Sequence, residues 1–344
     1  MEVATVGLDL AKHVFQVHAV DASGVVLLRK SLRRSQVLPF FASLPRCLVG
    51  MEACGTSHHW ARELIGLGHE VRLMPPAYVK PYVKRGKTDA ADAEAICEAV
   101  SRPTMRFVPV KSREQQAALS MHRTRDLLVK QRTQLVNMMR GLLAEFGIIM
   151  PDGLEQALVT ARQLVDGEVP DVPPAAVTIV GVLSQQALDT DVRLREIDRA
   201  LAAMQRADDA AQRLATLPGI GPVAATALAA SVTDPGQFRS ARQFAAWLGL
   251  TPLQNSSGGK ERLGRISKMG DRYLRKLLVI GATSLIRRAR QTTDAMGRRL
   301  ADLLARKPVR LATVALANKM ARIVWAVLTR GGTYQKLQTP ALMA

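Results

Sequence analysis

Residues 114–140 contain neither proline nor glycine, and Met121, Leu128, Leu135 and Leu142 recur at seven-residue intervals along and just beyond them. A stretch without chain breakers and with an apolar residue every two turns is a long helix carrying a coiled-coil-like stripe. Met139 and Phe146 supply part of a second seam. A second stripe, Leu194, Ile197, Leu201, Met204 and Ala211, is interrupted at Asp208. The two stripes fit an intramolecular helical hairpin and a dimer or tetramer interface equally well. Between them, residues 151–174 carry prolines and read as a loop or irregular connection. With 344 residues, 48% of them apolar, two or three domains are expected around this helical middle.

Ahead of the long helix the hydrophobic period changes from helical to alternating. Residues 3–9, 13–19 and 24–30 read as three short strands, the last following a D-A-S-G turn. A helix over 35–43 follows, then a short apolar strand over 47–51 that ends at Glu52. Thr56 opens a helix running to Leu67, residues 71–74 form a strand stopped by Pro75 and Pro76, and residues 89–100 form an alanine-rich helix. Antiparallel strands followed by strands alternating with helices predict an α/β sheet domain. The expected organisation is an α/β domain over 1–108, a helical assembly region over 109–214, a mostly helical domain over 215–300, and a C-terminal helix and tail over 301–344.

Forty-eight basic residues against 29 acidic ones give a net charge of +19. Such an excess repels itself in a compact state unless a polyanion neutralises it, and nucleic acid is the first candidate because each phosphate contact also releases counterions. Ribosomal and histone-like binders share that property, so charge alone names no reaction. Aromatic residues make up only 4%, against single-strand binding by base stacking. The three cysteines, Cys47, Cys54 and Cys97, lack metal or redox spacing and read as reduced thiols. The N-terminus lacks a signal-peptide pattern and no apolar run of about 18 residues appears, so a bacterial cytoplasmic, nucleoid-associated protein without a membrane partner is expected.

Four carboxylates stand out in this basic chain. Asp9 ends the first strand in GLDLAK, and Glu52 ends the fourth in GMEACG. Asp89 and Asp92, three apart in KTDAADAEAI, share one helix face. If they converge, their repulsion calls for cations, and magnesium (or manganese) suits oxygen ligands shared with phosphates. Two such ions could serve phosphodiester cleavage. Singly, each acid has a plainer reading as a turn residue, a helix cap or a solvated first-turn acid. The order Asp, Glu, then D-x-x-D on a late helix resembles RuvC-like, ribonuclease-H-type nuclease domains. More closely, GLDLAK, GMEACGTSHHWAREL and KTDAADAEAI resemble the D-E-D-D transposases of insertion-sequence family one-hundred-and-ten and its eleven-eleven subgroup, from residue 5 to about 330. The resemblance implies a metal site at Asp9, Glu52, Asp89 and Asp92, and recombination of target and donor duplexes guided by a structured noncoding bridge RNA.

Two later segments carry further candidates. L-P-G-I-G-P at 217–222 has the form of a helix-hairpin-helix turn, in which Gly219 and Gly221 allow unusual backbone angles and the next helix offers N–H groups to a phosphate. A plain helical corner has the same pattern. The stretch 249–278 joins Ser256, Ser257, Gly258 and Gly259 to Lys260, Arg262, Arg265, Lys268, Arg272 and Arg275, a setting for close phosphate approach. From the residues alone a serine nucleophile would be speculation, because no Ser-His-Asp arrangement lies nearby. The resemblance implies one: a serine before glycine, five residues after the G-L-x-P proline, which counted from Pro252 is Ser257, with Ser256 one register away. It also implies that the acids and the serine form a composite site, in a dimer or tetrameric synapse. Three functions follow: an RNA-guided transposase or recombinase with a serine-linked intermediate, a RuvC-like nuclease or junction resolvase using water, and a non-catalytic nucleic-acid binder that would need none of the acids.

Overall fold

The computed structural model describes all residues except 1, 85, 87, 169–170, 256–258, 260–261, 290–294 and 336–344, together with the side chains of 295, 296 and 299. The chain divides into two compact units, Met1–Arg113 and Glu114–Ala344.

The first unit is a five-stranded mixed sheet with helices. Its elements are β1 (Thr5–Asp9), β2 (Val14–Val20), β3 (Val26–Arg33), α1 (Val37–Ala42), β4 (Leu48–Glu52), α2 (Ser57–Gly66), β5 (Glu70–Met74), α3 (Pro76–Val79) and α4 (Asp89–Val100). The order across the sheet is β3-β2-β1-β4-β5. β1, β2 and β3 form an antiparallel meander, whereas β4 and β5 run parallel to β1. The β2–β3 turn is built by Asp21, whose Oδ1 accepts hydrogen bonds from the Ser23 amide, the Ser23 hydroxyl and the Val25 amide.

The period-2 pattern gives the sheet two different faces. Val6, Leu8, Phe15, Val17, Val49 and Met51 join Phe41 of α1 and Trp60 and Leu64 of α2 in one core. Between them in register lie Gly7 on β1 and Gly50 on β4, beneath α4. A methyl at Gly7 would overlap the Ala93 carbonyl and lie 2.5 Å from the Cys97 nitrogen, and one at Gly50 would lie 2.8 Å from Val100 Cβ. The two glycines therefore let α4 rest directly on the sheet backbone.

The second unit begins with α5 (Arg113–Ala144), α6 (Leu154–Val165) and α7 (Pro174–Ala207). Val136, Met139 and Leu143 of α5 pack against Ala157 and Ala161 of α6 and Val180 and Ala187 of α7, so these helices share an intramolecular core. Two expectations change here. Residues 151–174 are not an irregular connection, because α6 occupies half of them: Pro151 and Pro173 flank a periodic apolar stretch instead of interrupting it. The second long helix starts at Pro174, twenty residues before its stripe becomes regular. It stops at Asp208, whose side chain accepts from the Ala211 amide and caps the next helix.

The remainder comprises α8 (Asp209–Ala215), α9 (Pro222–Ser231), α10 (Ala241–Trp247), a hairpin of β6 (Pro252–Gln254) and β7 (Leu263–Ile266), then α11 (Arg272–Ala289), α12 (Ala295–Arg306) and α13 (Val309–Arg330). These helices close around one apolar core. Among the described residues α13 is long and apolar enough to cross a membrane, yet Ala312, Leu316, Ala317, Met320, Ala321 and Val324 bury it in this core. The helix is two-faced: this side is buried in the core, while Leu311, Ala315, Lys319 and Arg322 are exposed.

Candidate metal centre

Asp9 and Glu52 stand at the carboxyl ends of neighbouring parallel strands, with Leu8 paired to Met51 just before them. α4 begins above those ends. Its first turn is fixed by Thr88, whose Oγ1 accepts from the Ala91 amide, so Thr88 and not Asp89 is the cap. Asp89 is thereby free of capping, and Asp89 and Asp92 point toward β1. The carboxylates of Asp9, Asp89 and Asp92 each offer an oxygen within 4.8 Å of the others. Glu52 is coupled to the same group through the charges of Asp9 and Asp92.

The electrostatic consequence is a strained set of acids. Burial, then the charges of Asp92 and Asp89, push the Asp9 carboxyl up to about 6. Burial, then Asp9 and Asp92, raise Glu52 as well. Among the described residues none of the four makes an ion pair. An all-oxygen donor set in which Asp9, Glu52 and Asp92 are partly buried and Asp89 is exposed, with Asp9 and Glu52 raised by their acidic neighbours, fits a hard divalent cation. Glu94, two residues after Asp92, is turned away: it pairs with Lys84 at 2.6 Å and Arg29 at 3.7 Å, and the Lys84 hydrogen bond holds its carboxyl low. That pair ties the segment preceding α4 to the helix.

The other expected site residues lie in the second unit. Gly219 has φ of 84° and no room for a side chain, since a methyl would press on Met320, Leu285 and the Gly281 carbonyl. Gly221 has φ of −89°, ordinary for any residue, and precedes Pro222 at the first turn of α9. Ser256, Ser257, Gly258 and Lys260 lie outside the described residues. Arg262, Arg265, Lys268 and Arg272 are exposed on or beside the β6–β7 hairpin, and Lys268 has an uncommon φ of 55°. Arg275 is partly buried, and its guanidinium donates from Nη1 to the Leu248 and Met269 carbonyls, at 2.9 and 3.1 Å.

Residues 6–148 match the transposase family DEDD_Tnp_IS110, and residues 211–297 match the family described as Transposase IS116/IS110/IS902. The chain is 52% identical to a probable family 20 transposase of Pseudomonas aeruginosa, over 97% of this chain and 99% of the relative. It is 41% identical to the transposase for insertion sequence element IS1328 of Yersinia enterocolitica, over 97% and 99%. The transposase for IS1111A of Coxiella burnetii is 40% identical, over 97% and 92%. The chain belongs to the IS110 family.

It is an insertion-sequence transposase of that family, an enzyme class that cuts and rejoins DNA. In this IS110-family transposase two structural contributors to the acidic centre escape a motif reading. Gly7 and Gly50 bear no chemistry, yet their missing side chains set the height of α4 over the strand ends. Their signal is a glycine interrupting an apolar strand two residues before each acid, in G-L-D and G-M-E.

Proposed function

We propose that this transposase cuts and rejoins DNA through a serine-linked intermediate, with Asp9, Glu52, Asp89 and Asp92 holding magnesium or manganese. The observation that carries the metal reading is the convergence of Asp9, Asp89 and Asp92 within 4.8 Å on the α4 face of the sheet. Support for a RuvC-like, ribonuclease-H-type domain comes from the order β3-β2-β1-β4-β5 with Asp9 ending β1 and Glu52 ending β4. A bound divalent ion supplies charge neutralisation and Lewis acidity at a phosphodiester. Asp9 and Glu52 at the strand ends and Asp89 and Asp92 on the first turn of α4 would supply its oxygen ligands.

Ser257 is the proposed nucleophile, with Ser256 as the alternative register. Its Oγ forms a bond to phosphorus while one ester P–O bond breaks. The serine proton goes to a carboxylate base, and the released DNA oxygen is protonated. Rejoining reverses these changes on a new partner end. Lys260, Arg262, Arg265, Lys268 and Arg272 would hold phosphates around the hairpin, and the turn at Gly219 and Gly221 would present the amino end of α9 to the backbone. Guidance by a structured RNA and assembly as a dimer or tetrameric synapse complete the reading, carried by the family resemblance and by a net charge of +19. The division into segments 1–108, 109–214, 215–300 and 301–344 is retained as a proposal for which parts serve metal binding, assembly and strand transfer.

The test is a covalent-adduct trap. The protein, purified after co-expression with the DNA flanking its gene, is mixed with magnesium and labelled duplex, denatured and resolved on a gel. A protease-sensitive, slow-migrating band that is lost in Ser257→Ala is expected. Loss only in Ser256→Ala would move the register by one. Cleaved DNA with free ends and no adduct would replace this reading by a water-using nuclease.

A further inference from the structure

The β6–β7 hairpin leaves the helical core after Leu250 and returns to it at Ser267, and the two legs of its base are held by direct contacts. On the entering leg Leu248 and Leu250 are buried, and on the returning leg Ser267 and Lys268 donate their amides to the Thr251 and Gly249 carbonyls, at 2.8 and 3.1 Å. Gly249, with φ of 69°, has no room for a methyl, which would lie 2.6 Å from the Met269 nitrogen. Gly270, with φ of 80°, is closed off by the Trp247 carbonyl. Both legs are therefore at backbone contact distance.

Two side chains from the helices beneath complete this base. Arg275 of α11 donates from one nitrogen to Leu248 O on the entering leg and Met269 O on the returning leg. Asn318 of α13 donates from Nδ2 to Leu250 O at 3.0 Å. A guanidinium committed to two carbonyls of the protein presents less of its fork to a phosphate, whereas charge-assisted bonds to both legs fix their separation. Beyond them, the Asn255 amide donates to the Arg262 carbonyl at 2.9 Å, pairing the two strands at the residues that flank 256–261.

We infer that Arg275 and Asn318 are positioning residues for the serine-bearing hairpin, and that Arg275 does not serve as a DNA-phosphate contact. This rests on the reading of Ser257 or Ser256 as nucleophile. A positioning residue acts on the rate of the bound complex, because a displacement of roughly 1 Å at a reacting group costs on the order of a hundredfold. A phosphate contact instead acts on affinity and its salt dependence, with a log–log slope of about −0.9 for each phosphate neutralised.

The experiment compares wild type, Arg275→Ala, Arg275→Lys and Asn318→Ala, each purified after co-expression with the flanking DNA. The probe is a labelled duplex carrying the element's own end. Duplex affinity is measured between 50 and 200 mM salt, and adduct formation at saturating duplex well below each variant's melting temperature. The expected result is an adduct rate lowered at least tenfold in both Arg275 variants and several-fold in Asn318→Ala, with affinity within twofold and an unchanged salt slope. Lysine keeps the charge, but its shorter side chain and freely rotating ammonium lack the planar group that aims the two Nη1 hydrogens at the two carbonyls, so it should not fully rescue. A salt slope reduced by about one in Arg275→Ala with a normal rate at saturation would overturn the inference, as would full rescue by lysine. Wild type without any adduct would remove the serine reading and this inference together, whereas adduct at wild-type rate in the variants would remove the inference alone.

Discussion

Replacing Gly7 by alanine should dismantle the acidic centre without touching an acid. The added methyl would overlap the Ala93 carbonyl and sit 2.5 Å from the Cys97 nitrogen, where ordinary contact begins near 3.4 Å. These are backbone atoms of α4, so no side chain can rotate away, and the helix must withdraw by about 1 Å. Over-packing of this kind costs about 1–3 kcal/mol, which for a unit of this size lowers the melting temperature by roughly 4–8 °C per kcal/mol. The withdrawal occurs next to Asp92 and separates the α4 carboxylates from Asp9, so metal-dependent cleavage should fall by about a hundredfold. Gly50→Ala is the graded comparison. It meets the Val100 side chain at the far end of α4 and no backbone atom, so it should lower stability and activity by less than Gly7→Ala. Thermal unfolding and duplex cleavage, the latter well below melting, measure both effects. Gly7→Ala with cleavage within twofold of wild type and an unchanged melting temperature would refute the reasoning.

Three other outcomes follow from the second unit. His122 is buried, its rings of partners being the Tyr273 hydroxyl at 3.2 Å and Thr226 Oγ1 at 3.1 Å, and burial followed by the Arg125 charge lowers its pKa to about 4. Because the unfolded chain binds that proton near 6.5, this contribution is intact above pH 6.5 and lost as pH falls toward 4, by about 2 kcal/mol at pH 5. Urea unfolding of wild type against His122→Gln between pH 7 and 5 should show the steeper fall in wild type; parallel profiles would contradict it. Leu143→Ala, which empties a fully packed position where α5 meets α6 and α7, should cost about 2–5 kcal/mol in the same assay. Asp208→Ala removes the cap between α7 and α8 and should cost about 0.5–2 kcal/mol, whereas Asp208→Ser should restore most of it.

Much of the first unit was legible because its signals are local. Thr88 followed by an alanine-rich run marks the start of α4, and three short β-branched runs ending at Asp9, Ala19 and Lys30 mark the meander to within a few residues. The approach of Asp89 and Asp92 to Asp9 could be anticipated because strand ends and an i, i+3 pair define directions. What escaped lacks such a signature. α6 was hidden by flanking prolines, which punctuate a helix as readily as they exclude one. β6 and β7 span three and four residues, too few for a period to register. Arg275 looked like one more cation in a basic run, because its partners are main-chain carbonyls that no residue letter records. The stripe on α5 turns differently from its heptad reading, since Val136, Met139 and Leu143 are buried while Met121 and Leu128 are only partly so, whereas Leu194 and Leu201 of the α7 stripe are buried as expected.

The central claim is that Asp9, Glu52, Asp89 and Asp92 together hold a divalent cation. Its most direct test is manganese binding to the purified protein, followed by electron paramagnetic resonance, in wild type and in Asp9→Asn, Glu52→Gln, Asp89→Asn and Asp92→Asn. Saturable binding in wild type that weakens at least tenfold in each variant, with magnesium competing for the site, is the predicted result. Equal affinity and stoichiometry in wild type and in all four variants would contradict it.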